Sequence, residues 1–151
     1  MPQSLAQVYL HIIFSTKHRK PWLQDRSIRQ RTYGLIGDIG SRLRSPPQQV
    51  GGVADHVHIL CSLSRTITIA ELVKEIKRES SLWIKAESRH LDGFEWQNGY
   101  GAFSVSPKDL PEVTSYIRYQ ERHHRIETYT QEVRRLLVDV GRPADQAAVF
   151  E

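Results

Sequence analysis

The stretch QQVGGVADHVHILCSL, residues 48–63, combines β-branched and aliphatic side chains with two adjacent glycines. These residue types favour extended structure, and the glycines and residues 54–55 are suitable for a bulge or a tight hairpin. The pattern is compatible with one long strand or with two short strands. In either arrangement, His56 and His58 point to one face of a strand, whereas Cys61 points to the other.

Predicted helices and strands lie on both sides of this stretch. Apolar residues recur at helical spacings up to a pair of prolines at residues 46–47, and Thr68 is a candidate N-cap. Segments rich in β-branched and aromatic residues are predicted strands. The predicted elements, in chain order, are a strand at 8–16, a helix at 25–44, extended structure at 48–63, a helix after Thr68, a strand at 96–106, and helices at 109–126 and 130–140.

This order of elements predicts an α+β fold, in which helices pack on an antiparallel or mixed sheet. It is typical of a ferredoxin-like βαββαβ sandwich, here with an additional C-terminal helix. A chain of 151 residues is long enough for one compact domain with a core and too short for two. We therefore expect a single domain over residues 1–140, followed by a flexible tail over residues 141–151.

The composition excludes several classes of protein. Hydrophobic residues make up 39% of the chain and charged residues 25%, and no segment reaches the roughly 18 to 20 apolar residues that a membrane span requires. The first residues have no basic stretch before their short apolar run, and the single cysteine, Cys61, cannot form an internal disulfide. We expect a cytoplasmic protein without a membrane span or a secretory signal.

The chain carries a modest excess of positive charge. Lysine and arginine number 21 against 17 aspartates and glutamates, which gives a formal net charge of +4. Between Lys17 and Arg44, eight basic residues accompany only two acidic residues. This segment is a candidate phosphate-binding surface, and a solvated helix face explains it equally well.

His56 and His58 are the most distinctive candidates for chemistry. Two imidazoles side by side on one strand face can hold a divalent metal ion when the second ring nitrogen of each is tied to an outer partner. The simpler alternative is a pair of structural histidines on the sheet. Cys61 belongs to the opposite strand face, which argues against a Cys/His zinc cluster.

The segment SYIRYQERHHR, residues 115–125, adds polar side chains at helical spacing. Tyr116, Gln120 and His123 are separated by four and three residues, so we expect them on one helix face. Because an amide oxygen is a hard ligand, two histidines and a glutamine with open water positions suit Mg²⁺ or Mn²⁺ better than structural zinc. The alternative is that Tyr116 and Tyr119 only pack the helix.

Four segments in this order make the chain resemble the single-tyrosine HUH transposases of the insertion-sequence-200-like group, together with the related tyrosine transposases associated with repetitive extragenic palindromes. The resemblance covers roughly residues 7–138. The four segments are HIIFSTKHRKP at 11–21, DHVHIL at 55–60, GYGAFSVS at 99–106 and YIRYQERHH at 116–124. The family implies a ferredoxin-like core with a tyrosine on a later helix, and a homodimer in which this helix can complete the partner's site.

The resemblance also implies roles for particular residues. Tyr116 matches the nucleophile of the family, His56 and His58 match its histidine pair, and Gln120 matches its glutamine. The implied metal ligands are therefore His56, His58 and Gln120, with Mg²⁺ or Mn²⁺ as the cofactor. The glycines lack the spacing of a phosphate-binding loop, so no nucleotide cofactor is expected.

The expected function is a DNA transposase that cleaves and rejoins single-stranded DNA at hairpin-marked ends through a 5′-phosphotyrosine intermediate. Contacts to DNA phosphates are expected from Lys17, Arg19 and Lys20, which follow the first strand. Such a protein would act at the nucleoid, in the cytoplasm of a bacterium or an archaeon. Two alternatives stay open: a non-catalytic single-strand-binding protein, and a metal-dependent hydrolase without a covalent intermediate.

Overall fold

The computed structural model describes residues 4–146, and residues 1–3 and 147–151 lie outside that part of the chain. Four strands and five helices follow one another in the described part, and none of its helices is long and apolar enough to cross a membrane. The elements are β1 (Tyr9–Ser15), α1 (Arg26–Arg42), β2 (Pro47–Val53), β3 (His56–Ser62), α2 (Ile69–Glu87), β4 (Gly101–Val105), α3 (Leu110–Arg118), α4 (Gln120–His123) and α5 (Tyr129–Asp139).

The four strands form one antiparallel sheet in the order β2-β3-β1-β4. The central strands β1 and β3 are neighbours in the sheet although α1 and β2 separate them in the chain. With α1 after β1 and α2 after β3, this arrangement is a ferredoxin-like βαββαβ sandwich with additional C-terminal helices. The predicted fold class is therefore confirmed.

One face of the sheet carries the main hydrophobic core. Ile12 and Phe14 of β1 point to this face, as do Val57, Ile59 and Cys61 of β3. The helices α1 and α2 pack against each other and direct their apolar stripes to the same core. The free cysteine is buried there, as its strand position predicts.

The opposite face of the sheet is covered by the C-terminal helices. The helix α3 packs across β2 and β3, and α4 contacts β2. A smaller hydrophobic cluster joins Ile13 of β1 to Tyr129, Val133 and Leu137, which form one stripe of α5 at spacings of four. Because the two histidines of β3 point to this face, the C-terminal helices enclose them.

Two side-chain caps explain why α1 and α2 begin where the sequence predicts. The carboxylate of Asp25 accepts a 3.1 Å hydrogen bond from the backbone N–H of Ile28, and the hydroxyl of Thr68 accepts one of 3.0 Å from Glu71. Such caps satisfy N–H groups that have no partner within the first turn of a helix. Local sequence signals are therefore sufficient for both helix starts.

Two extended segments differ from their predicted form. Residues 48–63 make two strands joined by a turn at residues 54–55, which resolves the alternative left open by the pattern. The strand predicted at 96–106 is shorter, because a bend at Asn98 separates Trp96 from β4 and leaves it in an isolated bridge.

The prediction of one helix over residues 109–126 is wrong. Its backbone leaves the helical region at Tyr119, with φ −104° and ψ 30°, so that α3 ends there and α4 begins at Gln120. Ile117 before the break and Gln120 after it are both buried. Because of the break, both short helices stay in contact with the sheet. One straight helix would diverge from the sheet.

The last helix, α5, begins at Tyr129 rather than at residue 130, after an N-cap at Thr128. Beyond it, the backbone N–H of Arg142 donates a 2.8 Å hydrogen bond to the carbonyl of Leu137. Residues 147–151 of the tail lie outside the described residues. The flexibility of the whole tail stays a prediction.

A side chain at position 51 is expected to displace α3 from β2. A Cβ atom on Gly51 would lie 2.5 Å from the carbonyl oxygen of Ile117. Because a backbone atom cannot move aside cheaply, Gly51→Ala should lower the free energy of unfolding by about 1–3 kcal/mol, measured by urea denaturation. The matched control is Gly34→Ala in α1, where no atom lies within 4 Å of the added carbon and stability should rise by roughly 0.5–1 kcal/mol. Equal stability of Gly51→Ala and the wild type would contradict this close approach.

Candidate active site

The histidine pair lies on the sheet face that the C-terminal helices cover. His56 and His58 are fully buried. Nδ1 of His56 lies 2.7 Å from a carboxylate oxygen of Asp55, and Nδ1 of His58 shares a 2.7 Å hydrogen bond with Nε2 of His11. Each ring is therefore oriented through Nδ1 by an outer partner, which leaves both Nε2 atoms directed toward the C-terminal helices.

The two predicted residues of the C-terminal helices reach this pair. Gln120 is buried, and its Oε1 atom lies 3.3 Å from Nε2 of His56. The ring of Tyr116 stands edge-on to that of His58, with 5.8 Å between the ring centroids. The structure thus brings Tyr116, Gln120, His56 and His58 together within one chain.

Two further residues, His124 and Glu132, enter the same cluster without having been predicted. Glu132 is fully buried on α5. Its Oε1 atom lies 3.2 Å from Nε2 of His56, 3.0 Å from Nε2 of His58 and 3.0 Å from Nε2 of His124. Three imidazole rings therefore converge on one oxygen of one carboxylate.

The sequence does contain a signal for Glu132. It lies on the sheet-facing stripe of α5, next to Val133 and one turn after Tyr129. An acidic residue within an apolar stripe is unusual, because carboxylates are seldom buried without a partner. Such a position indicates that a partner from another element meets the side chain.

His124 rather than His123 is the residue that joins the cluster. Helical spacing from Tyr116 favours His123, but the break at Tyr119 changes the orientation of α4 relative to α3. The ring of His123 instead lies beside that of Tyr116, with 4.6 Å between the centroids. Tyr119 is 43% exposed, and its ring lies 5.0 Å from the guanidinium of Arg122.

The pKa values of several ionisable groups in the cluster are strongly shifted from their usual values. Burial and the neighbouring His58 lower the pKa of His11 to about 3, and burial lowers that of His58. Burial also opposes the charged form of His56, but hydrogen bonds to Asp55 and Glu132 outweigh it and raise the pKa to about 9. Burial would raise the pKa of Glu132, yet the histidines hold it well below its usual range. Without a bound cation, Glu132 and His56 thus form a buried ion pair.

The hydroxyl of Tyr116 is held from two sides. It donates a hydrogen bond to Oε2 of Glu132 and accepts one of 2.7 Å from Nη2 of Arg135. Burial and the adjacent Glu132 raise the pKa of Tyr116 above its usual range. The phenol is therefore protonated in this arrangement, and α5 determines the direction of its oxygen.

The donor set of the cluster fits a divalent metal ion. Among the described residues, His56, His58, His124 and Glu132 each offer one ligand atom, and these atoms all lie within 4.8 Å of one another. Imidazole nitrogens and carboxylate oxygens are common metal ligands, and the rings are already oriented through their other nitrogens. The cluster is therefore compatible with a metal site.

The basic turn predicted to contact DNA lies beside the cluster. Lys17, Arg19 and Lys20 are exposed on the turn after β1, and a 2.8 Å backbone hydrogen bond from Thr16 to Asp55 ties this turn to the start of β3. Lys17 forms a 3.2 Å ion pair with Glu95, and Arg19 donates a hydrogen bond to Thr130 of α5. The amino group of Lys20 lies 4.0 Å from the centre of the Trp22 ring. Of these three residues, Arg19 thus contacts α5, the helix that carries Glu132.

A second basic surface, not predicted from the sequence, lies on the outer side of α3 and α4. A cleft of about 390 Å³ extends there to α1 and β2. Its lining includes two aromatic side chains, one carboxylate and four guanidinium groups, those of Tyr33, Tyr119, Glu121, Arg26, Arg118, Arg122 and Arg125. Positive charge with an aromatic platform suits contact with a nucleic acid strand.

A ferredoxin-like sheet whose paired histidines meet a tyrosine on a later helix is the arrangement of a single-tyrosine HUH transposase, the class that the sequence motifs predict. The family described as transposase IS200-like matches residues 4–120, and the chain belongs to this family. Its role is therefore that of a transposase. The match ends at Gln120, so His124 and Glu132 lie beyond it.

Solved structures agree with this fold. A crystal structure described as that of a possible transposase from Deinococcus radiodurans R1 is 20% identical, with a TM-score of 0.62 over 80% of this chain and 95% of that chain. A tyrosine transposase associated with repetitive extragenic palindromes, bound to such a hairpin, is 13% identical, with a TM-score of 0.58 over 82% of this chain and 73% of that chain. No curated protein sequence matches significantly.

Proposed function

We propose that this protein cleaves and rejoins single-stranded DNA at hairpin-marked ends, with Tyr116 as the nucleophile. The observation that carries the proposal is the position of the Tyr116 hydroxyl beside a buried cluster of imidazoles and one carboxylate. A tyrosine can hold a DNA end covalently, because its oxygen attacks phosphorus and later serves as a leaving group. Joining is thus the reverse of cleavage.

The atoms of the cleavage step balance without a co-substrate. The Tyr116 oxygen forms a bond to phosphorus, and the bond from phosphorus to the 3′-oxygen of the preceding nucleotide breaks. The phenol proton leaves Tyr116, and the departing 3′-oxygen gains a proton. The products are a 5′-phosphotyrosine and a free 3′-hydroxyl.

The proposed metal ligands are His56, His58 and Gln120, and the proposed ion is Mg²⁺ or Mn²⁺. When bound, a divalent ion polarises the scissile phosphate and offsets negative charge in the transition state. In support of this assignment, Asp55 and His11 orient the two rings, and Oε1 of Gln120 lies 3.3 Å from Nε2 of His56.

The proposed substrate and partners follow from the surface around the site. The basic turn with Lys17, Arg19 and Lys20 is tied through Thr16 to Asp55 at the start of β3, and the structural neighbour bound to a palindromic hairpin supports a hairpin substrate. We further propose a homodimer that acts at the nucleoid, in the cytoplasm of a bacterium or an archaeon. Sedimentation of a monomer alone, with and without DNA, would contradict the dimer.

The test of this function is trapping of the covalent intermediate. The protein is incubated with single-stranded DNA from the flanks of its own gene, labelled at the 3′ end, in the presence of Mn²⁺ or Mg²⁺. We expect a labelled protein band that survives denaturing electrophoresis and disappears after proteolysis. The label must be at the 3′ end, because the 5′-phosphotyrosine retains the downstream fragment.

The two alternative functions give different results in this experiment. A non-catalytic single-strand-binding protein would shift the DNA in a native gel but leave it intact. A metal-dependent hydrolase would cleave the DNA and leave no protein attached. Either result would contradict the proposed transposase mechanism.

Binding of DNA should depend steeply on salt, in part through the basic turn. Each lost contact with a single-strand phosphate should reduce the slope of log Ka against log salt by about 0.7. We therefore expect Lys17→Ala with Lys20→Ala to flatten this slope, measured by fluorescence anisotropy with a hairpin oligonucleotide. The control is Arg65→Ala, an exposed charge after the opposite end of β3. Unchanged slopes in the double variant would contradict the proposed contacts.

A further inference from the structure

We propose that His124 and Glu132 are ligands of the metal ion, and that this ion is a transition-metal ion such as Mn²⁺ rather than Mg²⁺. The inference rests on the proposed function and deepens it, because it extends the metal site to α5. Both residues lie beyond residues 4–120, which match the family. The family match therefore assigns neither residue a role.

The crowding around Glu132 is the first observation that supports this assignment. Three ring nitrogens lie 3.0–3.2 Å from its Oε1 atom. One carboxylate oxygen offers about two lone-pair directions, so three N–H groups cannot all donate to it with good geometry. A shared cation removes this conflict, because Oε1 of Glu132 and the Nε2 atoms of the three histidines can each direct one lone pair at it.

The spacing of the donor atoms points in the same direction. Ligand atoms at about 2.1 Å from one ion lie about 3.0–3.4 Å from each other in octahedral or tetrahedral coordination. The three distances from Oε1 of Glu132 to the ring nitrogens fall within this range. Glu132 therefore lies from each of the three rings at the distance expected between neighbouring ligands of one ion.

Glu132 is also held rigidly in its position. A capping box between Thr128 and Gln131 fixes the first turn of α5, and Tyr129 and Val133 anchor this turn on the sheet. The second carboxylate oxygen, Oε2, accepts a hydrogen bond from the hydroxyl of Tyr116. A single carboxylate thus links the proposed ion to the proposed nucleophile.

The chemistry of the donors selects the class of ion. Mg²⁺ prefers oxygen ligands and keeps several waters, whereas imidazole suits transition-metal ions. Three imidazoles and one carboxylate, of which His56, His58 and Glu132 are fully buried, make a nitrogen-rich site. Such a site favours Mn²⁺ over Mg²⁺.

Isothermal titration calorimetry of the metal-free full chain with MnCl₂ and MgCl₂ tests the inference without DNA. We expect Glu132→Gln and His124→Asn each to weaken Mn²⁺ binding at least about tenfold, and Mg²⁺ to bind the wild type at least about tenfold more weakly than Mn²⁺. The matched control is Asp139→Asn, which neutralises an exposed carboxylate on the same helix and should leave the affinity unchanged. Affinity that is unchanged or higher in Glu132→Gln, or equal affinity for both ions, would overturn the inference.

Hydrogen exchange of the wild type keeps the inference testable if the variants do not fold. Mn²⁺ should slow amide exchange in α5, because ligation of Glu132 ties this helix to β3. Unchanged exchange in α5 under saturating Mn²⁺ would overturn the inference. Failure to trap a DNA adduct would leave these results intact, so the metal site and the transposase function are tested separately.

Discussion

Tyr116→Phe is expected to eliminate the covalent protein–DNA adduct, because the substitution removes the only atom that attacks phosphorus in the proposed reaction. The readout is the denaturing gel with 3′-labelled hairpin DNA and Mn²⁺. DNA affinity, measured by anisotropy, should stay within about twofold of the wild type, since binding arises mainly from phosphate contacts elsewhere. The hydroxyl accepts a hydrogen bond from Arg135 and donates one to Glu132, so stability should change by about 1 kcal/mol.

Tyr119→Phe is the matched control for this prediction. Tyr119 lies three residues along the chain, but it is 43% exposed and contacts Arg122 rather than the histidines. The variant should therefore form the adduct at nearly the rate of the wild type. Adduct formation by Tyr116→Phe, together with its loss in Tyr119→Phe, would show that the nucleophile has been misassigned.

His58→Ala is expected to abolish both the adduct and measurable binding of Mn²⁺. The Nε2 atom of His58 faces the cluster, and its Nδ1 atom is held by His11, so the ring is already oriented as a ligand and its removal takes away a pre-positioned donor. His56→Ala should have the same effect, because Asp55 orients that ring in the same way. Binding is measured by calorimetry, and circular dichroism and thermal melting establish that the fold persists.

Two comparisons separate ligation from a general effect of losing a side chain. His90→Ala removes an exposed histidine near the end of α2 and should leave Mn²⁺ binding unchanged. Gln120→Ala should weaken Mn²⁺ binding less than either histidine variant, since water can replace a neutral amide. Unchanged Mn²⁺ affinity in both His56→Ala and His58→Ala would refute their assignment as ligands.

Local patterns in the chain were sufficient for the fold class and for placing His56 and His58 side by side in the candidate site. Strand alternation places His56 and His58 on one face of β3 and Cys61 in the core on the other. Caps at Asp25 and Thr68 set the starts of α1 and α2. These features depend on residues a few positions apart, whose preferences operate before any tertiary contact forms.

Packing between distant segments was needed for the rest of the site. The break at Tyr119 brings His124 rather than His123 to the cluster, and no periodicity in the sequence predicts where a helix bends to follow a sheet. Glu132 meets His58 across 74 residues of sequence. A buried carboxylate is stable only beside partners that compensate its charge, and here those partners come from β3 and the region after α4. Their meeting depends on how α5 docks on the sheet, which local sequence patterns do not specify.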